Sequence, residues 1–296
     1  MDTQLLLAFI AVAEAGSFTR AAEQLHLSQP AISKRIAALE AQCGGALFDR
    51  IGREIRLTEA GRTLLPYAHR SQAEIEDAGR ALTHLTGQVA GRLSIGTSHH
   101  IGLHRLPAVL RDFTQRYPAV DLDLHFMDSE EACHAVEQGK LELGIVTLPL
   151  DPIARLEQRL VWPDPMAFVV ATDHPLAWKR RLGLQELAGY PAILPDEKTY
   201  THRIVQAALR RHGISPRVRL ATNYLETLKM LVGIGLGWSV LPQSMLDSSL
   251  RTLRISAMKL KRELGWVRHR ERTLSGPARA LLSLLDEQKP GRSRNI

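Results

Sequence analysis

Three histidines in the middle of this 296-residue sequence have a spacing suited to binding chemistry. His99 and His100 are adjacent, and His104 follows His100 by four residues, so the last two would share a helix face. Such a pair can ligate a metal ion, but no cysteine or nearby carboxylate in the sequence completes the set. We therefore expect no metal and no cofactor. The alternative is that His99 and His100 donate hydrogen bonds to an anionic small molecule.

Arginines near the N-terminus suggest a second kind of chemistry, the binding of a nucleic-acid backbone. Arg50, Arg53 and Arg56 recur every third residue around Gly52, within an alternating pattern typical of a short strand. A β-hairpin that carries arginines could reach phosphates or a minor groove. A solvated surface explains an isolated arginine run equally well, so the neighbouring elements have to decide between these interpretations.

The net charge of +7 also favours nucleic acid, yet the basic residues are unevenly distributed. Residues 1–90 contain 9 Lys/Arg and 10 Asp/Glu, whereas residues 251–296 contain 12 and 4. We interpret this C-terminal segment as a solvated surface or tail, and contact with flanking DNA or another subunit stays open. Its basic residues include Lys259, Lys261, Arg262, Arg268, Arg270 and Arg272.

Composition and cysteine usage exclude several classes of protein. Apolar residues make up 45% and charged residues 23%, as in globular proteins. No apolar run is long enough to span a membrane, and the first residues lack the basic region of a signal peptide. Cys43 and Cys133 alone do not make a disulfide framework. These features predict a cytoplasmic protein.

Three helices are predicted within the first 45 residues. Gly16 ends the first helix, Ser17 and Ser28 are suited to cap the next two, and Pro30 fits the first turn of the third. Two short helices joined by about three residues, the second with a small, polar and cationic outer face, are typical of a helix-turn-helix. An ordinary helical bundle with a solvated face is the alternative.

Motifs follow one another over about 60 residues and point to one family. They are residues 18–25 (FTRAAEQL), 27–33 (LSQPAIS), 39–40 (LE), 47–50 (LFDR) and 57–61 (LTEAG). Together they resemble the winged helix-turn-helix of LysR-type transcriptional regulators. The resemblance implies DNA contacts by Ser17, Thr19, Arg20, Gln29, Pro30, Ser33, Lys34, Arg50 and Arg53. Cys43-Gly44-Gly45 departs mildly from the family, which often has a bulky residue before the glycine.

A long helix is predicted next, and its apolar residues repeat with heptad spacing. The seam consists of Leu64, Ala68, Ser71, Ile75, Ala78, Leu82 and Leu85. An amphipathic helix lying on its own domain would show a similar pattern. The family resemblance instead implies a linker that pairs two protomers, so that a two-fold symmetric protein meets two DNA half-sites.

Strand and helix patterns alternate over the remaining two hundred residues, which predicts an α/β domain with a parallel sheet. Residues 141–145 (LELGI), 174–177 (HPLA) and 235–242 (GLGWSVLP) resemble the effector domain of LysR-type regulators, which is similar to periplasmic binding proteins. The resemblance implies two lobes joined by strands that return near residues 161–163 and 264–268, with a ligand-binding cleft between the lobes.

The predicted architecture has four parts. They are a winged helix-turn-helix over 1–58, a linker helix over 59–88, an effector-binding domain over 89–290 and a flexible tail over 291–296. Within the effector-binding domain, lobe I covers about 91–162 and 265–290, and lobe II covers about 163–264.

Polar residues at predicted strand ends and helix starts are candidates for effector binding, because backbone N–H groups there favour anions. The candidates are Thr97, Ser98, His99, His100, Ser129, Thr147, Tyr200, Thr201, His202 and Asn223. Helix capping and loop packing would explain the same residue types without a ligand. The two cysteines cannot form the paired redox switch of the peroxide-sensing members of the family.

These patterns predict a transcription regulator that is not an enzyme. It would bind double-stranded promoter DNA and respond to a small, anionic effector. The family resemblance implies that it assembles as a dimer of dimers and acts on RNA polymerase. An α/β enzyme is the main alternative, but no nucleophile elbow, P-loop or dinucleotide fingerprint occurs in the sequence. A transport-type solute-binding protein is opposed by the N-terminal helix-turn-helix.

Overall fold

The chain divides into two units near residue 87. The computed structural model describes residues 2–51, 54–84, 89–180, 182–255 and 258–288. The predicted tail at 291–296 lies outside the described residues. Among the helices that the structure describes, none is both long and apolar enough to cross a membrane.

The first unit contains the three predicted helices, a β-hairpin and the long helix. The elements are α1 Thr3–Ala15, α2 Phe18–Gln24, α3 Gln29–Cys43, β1 Phe48–Ile51, β2 Glu54–Leu57 and α4 Glu59–His84. The strands pair antiparallel, with Phe48 opposite Leu57. The predicted wing is therefore a hairpin, although its tip at residues 52–53 is outside the described residues.

Apolar spacing explains how the three helices of this unit pack. Phe9 on α1 and Ile32 and Leu39 on α3 are fully buried in one cluster. Phe48 on β1 contacts the ring of Phe9 at a centroid distance of 5.4 Å, which attaches the hairpin to the helices. Ala68 on α4 belongs to the same cluster, so the start of the long helix is part of this core.

The second unit has the predicted alternation of strands and helices. The strands are β3 Gly91–Thr97, β4 Val120–Phe126, β5 Leu143–Thr147, β6 Leu156–Ala171, β7 Ala192–Leu194, β8 Val218–Ala221, β9 Ser239–Pro242, β10 Leu250–Thr252 and β11 Leu260–His269. The helices are α5 His99–His104, α6 Leu106–Arg116, α7 Ser129–Glu137, α8 Leu184–Ala188, α9 Tyr200–Arg210, α10 Leu225–Gly233 and α11 Gly276–Glu287. Pro175–Trp178 and Gln243–Met245 are short 3-10 turns.

Strands β4, β3 and β5 are parallel neighbours, as the sequence predicts. The strands that return between the lobes add antiparallel neighbours to this parallel set, because β11 pairs antiparallel with β5 and β6 pairs antiparallel with β11. The complete order is β10-β6-β11-β5-β3-β4, with β9 also paired to β6. The extra strands return the chain between lobes, so they have no βαβ connection that would make them parallel.

Two long strands pass from one lobe to the other. Strand β6 has 16 residues and β11 has 10, and they pair along almost the whole of β11. The register shifts at Leu264 and Gly265, near the predicted return points. A Cβ atom at Gly265 would lie 2.0 Å from the carbonyl oxygen of Arg159, so this crossing requires glycine.

Each lobe has its own hydrophobic clusters. In lobe I, Leu143 and Ile145 face a cluster that includes Phe113, whereas Val146 faces a second cluster with Cys133. This alternation places helices on both faces of the sheet. In lobe II, Trp238 is fully buried, and its indole N–H donates to the carbonyl oxygen of Leu187 at 3.0 Å.

Candidate DNA-binding surface and effector cleft

Local sequence fixes the geometry of the helix-turn-helix. Ser17 and Ser28 cap α2 and α3, with their hydroxyls accepting from the amides of Arg20 and Ala31 at 3.4 and 3.3 Å. His26, in the turn between the helices, has a φ of +53°. This left-handed residue turns the chain within the few residues between the two helices.

The outer face of α3 is polar, small and basic. Gln29, Pro30 and Lys34 are exposed and Ser33 is half-buried, while Ile32 on the opposite face is buried. The amide of Gln29 donates to the hydroxyl of Ser33 at 3.0 Å, so these side chains are already adjacent. Glutamine can read a base edge and lysine can neutralise a phosphate. The face therefore has the groups needed to bind a major groove.

The other predicted DNA contacts occupy α2 and the wing. Thr19 and Arg20 are exposed at the start of α2. Arg53 and the side chain of Arg50 lie outside the described residues. Strand pairing places Arg50 opposite Ile55 on the hairpin.

The predicted dimer seam divides into two parts. Leu64 and Ala68 pack with the core of their own unit, which is what the alternative of a helix lying on its domain predicts. Ser71, Ile75 and Ala78 are exposed, and Ile75 is 52% exposed despite its apolar side chain. The side chain of Leu82 and the whole of Leu85 lie outside the described residues.

A cleft of about 350 Å³ lies between the lobes of the second unit. Seven of the ten predicted effector residues line it, namely Ser98, His99, His100, Ser129, Thr147, Thr201 and Asn223. The ring of His99 stacks on Phe126 of lobe I at a centroid distance of 5.3 Å and meets Tyr224 of lobe II at 4.9 Å. Ser98 is the N-cap residue of α5, but its side chain makes no capping hydrogen bond.

The remaining three predicted residues are buried and have structural partners. The hydroxyl of Thr97 donates to the carbonyl oxygen of Ile145 at 2.8 Å. Nδ1 of His202 lies 2.7 Å from the carbonyl oxygen of Pro195, and the amide of Tyr200 donates to the carboxylate of Glu130. Strand ends carry both lining and packing residues, so position alone does not separate them.

Several lining residues were missed by sequence reasoning. Asp128, Glu130 and Glu131 flank Ser129 at the start of α7, so the strand-end argument applied to them as well. Arg262 comes from the antiparallel strand β11, which gives no such signal. The interpretation of Arg262 as solvated surface is wrong, because its side chain is only 4% exposed.

An ion-pair network fixes Arg262 beside the cleft. Its Nε lies 2.6 Å from one carboxylate oxygen of Asp164, and Nη2 of Arg105 lies 2.9 Å from the other. Nη1 of Arg262 donates to the hydroxyl of Thr201 at 3.3 Å. Its Nη2 is buried with no hydrogen-bond partner in the structure. Burial lowers the pKa of Arg262, which Asp164 counteracts.

Hydrogen bonds link the lobes at the cleft. The side-chain amide of Asn223 in lobe II donates to the carboxylate of Asp128 in lobe I at 2.6 Å. Glu130 of lobe I accepts from the backbone amide of Tyr200 at the start of α9. Burial raises the pKa of Glu130 above its usual range. A ligand that entered the cleft would compete with these contacts.

The histidine cluster has a third member that the sequence did not indicate. Glu226 on α10 lies 3.0 Å from Nε2 of His104 and 3.9 Å from Nδ1 of His100. The expectation that no carboxylate completes the set is therefore wrong. Burial lowers the pKa of His100 to about 3, so this imidazole is neutral at physiological pH. A neutral imidazole still donates one hydrogen bond, so the assignment of His100 to effector binding stays a prediction.

The cysteines behave differently from each other. Cys43 is exposed, whereas Cys133 is buried in α7 and burial raises the pKa of its thiol to about 12. Both thiols are free. A buried thiol with a raised pKa is a poor nucleophile.

The winged helix-turn-helix and the two-lobed cleft in one chain define a class, the ligand-responsive DNA-binding regulators. A family profile described as "Bacterial regulatory helix-turn-helix protein, lysR family" matches residues 3–62, and one described as "LysR substrate binding domain" matches residues 86–290. The chain therefore belongs to the LysR family of DNA-binding transcriptional regulators.

Relatives agree with this assignment. The regulator YfeR of Shigella flexneri is 31% identical over 96% of this chain and 92% of its own. The regulator CbbR of Rhodospirillum rubrum is 33% identical over 83% and 81%. A transcriptional regulator of Azotobacter vinelandii from the ibpB-leuC intergenic region is 66% identical, over 36% of this chain and 74% of that one.

Solved structures share the fold. A full-length OxyR variant from Pseudomonas aeruginosa has a TM-score of 0.73 at 22% identity, covering 97% of this chain and 94% of that chain. Full-length CbnR in complex with its target DNA has a TM-score of 0.67 at 23% identity, covering 97% and 100%.

Proposed function

We propose that α3 and the wing of this regulator bind an operator through Gln29, Pro30, Ser33 and Lys34 on the helix and Arg50 and Arg53 on the hairpin. The exposure of Gln29 and Lys34 on the face opposite buried Ile32 carries this proposal. Ser17, Thr19 and Arg20 would contact the DNA backbone beside them, where the start of α2 presents its amides.

Salt dependence tests the assigned DNA surface. Genomic fragments selected by the protein would be labelled and titrated by fluorescence anisotropy at several salt concentrations. Lys34→Ala should weaken binding and lower the salt slope by about one, because one phosphate contact is lost. Lys179→Ala, an exposed lysine of lobe II that pairs with Glu186, should leave both unchanged. An unchanged slope for Lys34→Ala would refute the assignment.

We also propose that the cleft binds a small polar effector with an acidic group beside Arg262. The buried, unpartnered Nη2 of Arg262 carries this proposal, because a buried guanidinium N–H needs an acceptor. The lining also contains three carboxylates, on Asp128, Glu130 and Glu131, so a purely anionic molecule fits less well than the sequence predicts. A second group on the effector would donate hydrogen bonds or carry positive charge toward these carboxylates.

The proposed response is a change in how the lobes close. A ligand that replaced the bond between Asn223 and Asp128 would change the relative free energies of the lobe arrangements. It can shift their populations only as far as it binds one arrangement more tightly than another. The output at the promoter would follow from this shift, and the ligand would leave chemically unchanged.

Thermal stabilisation by a panel of small amino acids and carboxylic acids tests the cleft. A binder stabilises the folded chain by mass action, so its concentration dependence gives an apparent affinity. Ser98→Ala is a clean variant, because this hydroxyl makes no capping bond whose loss would destabilise α5. Ser98→Ala combined with Thr201→Ala should reduce the shift, while Thr114→Ala on the outside of α6 should not. Equal shifts in all three proteins would reject these contacts.

We propose that the exposed half of α4 pairs two protomers and that dimers associate further into a tetramer that acts on RNA polymerase. The exposed Ile75 carries the dimer proposal. Ile75→Glu should lower the dimer fraction in analytical ultracentrifugation, because a charge would be buried at the seam. Glu74→Gln, at the adjacent exposed position, is the matched control. A dimer fraction unchanged by Ile75→Glu would contradict this seam.

A further inference from the structure

A cluster of potential metal ligands spans the two lobes. His100 and His104 lie on α5 of lobe I, and Glu226 lies on α10 of lobe II, 122 residues further along the chain from His104. One ligand atom from each residue can be chosen so that all three lie within 4.8 Å of one another. The cluster is therefore assembled by the closeness of the lobes and does not exist within either lobe alone.

The geometry is near that of a zinc site. Two histidines four residues apart on one helix face are a recurring pair of zinc ligands. Bonds of about 2.0–2.1 Å in a tetrahedral site place ligand atoms a little over 3 Å apart. The separation of Nε2 of His104 from Oε1 of Glu226 is 3.0 Å, and that of Nδ1 of His100 from the same oxygen is 3.9 Å. Small side-chain rotations of Glu226 toward His100, followed by the part-exposed His104, would close the set.

His100 gives an independent reason to expect a ligand. Its side chain is buried, and neither ring nitrogen has a hydrogen-bond partner in the structure. A buried polar atom without a partner destabilises the fold, and such groups call for a functional explanation. An imidazole in its neutral form offers a lone pair to a metal, and Nδ1 is the nitrogen that points toward Glu226.

The ligand types select the class of metal. Two imidazole nitrogens and one carboxylate favour Zn²⁺ and similar transition-metal ions over Mg²⁺ and Ca²⁺, which prefer oxygen. The nearby guanidinium groups of Arg262 and Arg105 both pair with Asp164, which offsets part of their charge. The fourth position would face solvent, because His104 and Glu226 are both 40% exposed.

We propose that His100, His104 and Glu226 form a site for a divalent transition-metal ion that clamps lobe I to lobe II. Bound metal would stabilise the arrangement in which α5 and α10 are adjacent. It would thereby act on the conformation of the effector domain from the wall of the cleft, which His100 also lines. The site is separate from the DNA-binding surface, so loss of DNA binding by Lys34→Ala would leave it intact.

Zinc titration of the full-length protein, freed of any affinity tag, tests the proposal. Calorimetry should show one high-affinity Zn²⁺ per chain, and Co²⁺ in its place should give the visible absorption of a four-coordinate ion. His104→Ala and Glu226→Gln should each raise the dissociation constant for Zn²⁺ by at least about tenfold. Tenfold is the lower end of the effect of replacing a residue that only supports a metal ligand, so loss of a ligand should cost at least as much. Mg²⁺ should produce no heat that depends on these residues.

A matched control addresses the other histidines of the chain. His125 in β4 also pairs with a carboxylate, that of Asp123 at 2.8 Å, but both residues belong to lobe I. His125→Ala should bind Zn²⁺ as the wild type does. Zinc affinity that is unchanged by Glu226→Gln would overturn the clamp, since the histidine pair would then bind alone. If the wild type showed no saturable zinc binding, the metal site itself would be overturned. His104→Cys keeps a zinc ligand at position 104, so it should still bind Zn²⁺. That result would also verify that the fold tolerates substitution at this position.

Discussion

Replacing Asp164 with asparagine would leave two guanidinium groups facing each other without the carboxylate that joins them. Asp164 is 1% exposed, and its two oxygens pair separately with Arg262 and Arg105. Removing one member of a buried ion pair typically costs about 3–5 kcal/mol, because the remaining charge is buried without compensation. The geometry predicts a loss in that range for Asp164→Asn, since Arg262 is also buried.

The companion variant Arg262→Met should be less damaging. Asp164 would keep its bond to Arg105, and methionine would fill much of the volume of the arginine stem. We expect a loss of about 1–3 kcal/mol, in the range of one charge-assisted hydrogen bond. A larger loss of stability for Asp164→Asn than for Arg262→Met would show that the carboxylate of Asp164 is shared by two arginines. In a simple ion pair, removing either partner would cost about the same.

Intrinsic fluorescence during urea unfolding is a suitable assay. All four tryptophans lie between residues 162 and 266, so the signal reports the effector domain. For a domain of about 200 residues, a loss of 3–5 kcal/mol would also lower Tm by about 6–20 °C. A loss below about 1 kcal/mol for Asp164→Asn, or an equal or larger loss for Arg262→Met, would refute the reasoning.

Other measurements address single residues. Burial lowers the pKa of His69 to about 4 from 6.5, so the unfolded state binds more protons between these values. The first unit should therefore lose stability as pH falls from 6.5 to 4, which hydrogen-exchange mass spectrometry of peptides from this unit can measure. His69→Gln should make the stability of the unit depend less on pH. A pH dependence unchanged by His69→Gln would contradict the attribution to His69. Iodoacetamide should modify the exposed Cys43 much faster than the buried Cys133 in the native protein. Peptide mass spectrometry can measure the two rates. Similar rates would show that α7 opens readily. A Cβ at Gly237 would lie 2.3 Å from the carbonyl oxygen of Pro191. Gly237→Ala should therefore lower the free energy of unfolding of the effector domain by at least about 1–3 kcal/mol in the urea assay. An unchanged free energy of unfolding would mean that the backbone shifts to make room for the methyl group.

The sequence predicted the DNA-binding unit well because its signals are local. Capping serines, apolar spacing and the alternation of the hairpin each act within a few residues, and Ser17 and Ser28 cap the helices as expected. The long helix was also predicted, and the packing of Leu64 and Ala68 in their own unit follows the alternative of a helix lying on its domain. Heptad spacing specifies a stripe of apolar residues and does not specify what covers it.

The effector domain was harder because its site is made by residues distant in sequence. Parallel strand ends indicated Ser98, Ser129 and Thr201, which line the cleft. No periodic pattern could bring Arg262 from an antiparallel return strand, or Glu226 from another lobe, to the same place. Such contacts depend on the chain topology, and a single sequence carries no signal of covariation that would reveal them.

The two strands that pass between the lobes have a consequence for synthesis on the ribosome. Lobe I takes β3 to β5 from before lobe II in the sequence, and β11 and α11 from after it. Its sheet therefore cannot be completed until nearly the whole domain has been translated, whereas the helix-turn-helix is local in sequence and can fold early. A translation product interrupted within lobe II would retain a complete operator-reading module without a finished sensor. Cells that produced such fragments would contain binders that compete for DNA but cannot respond to a signal.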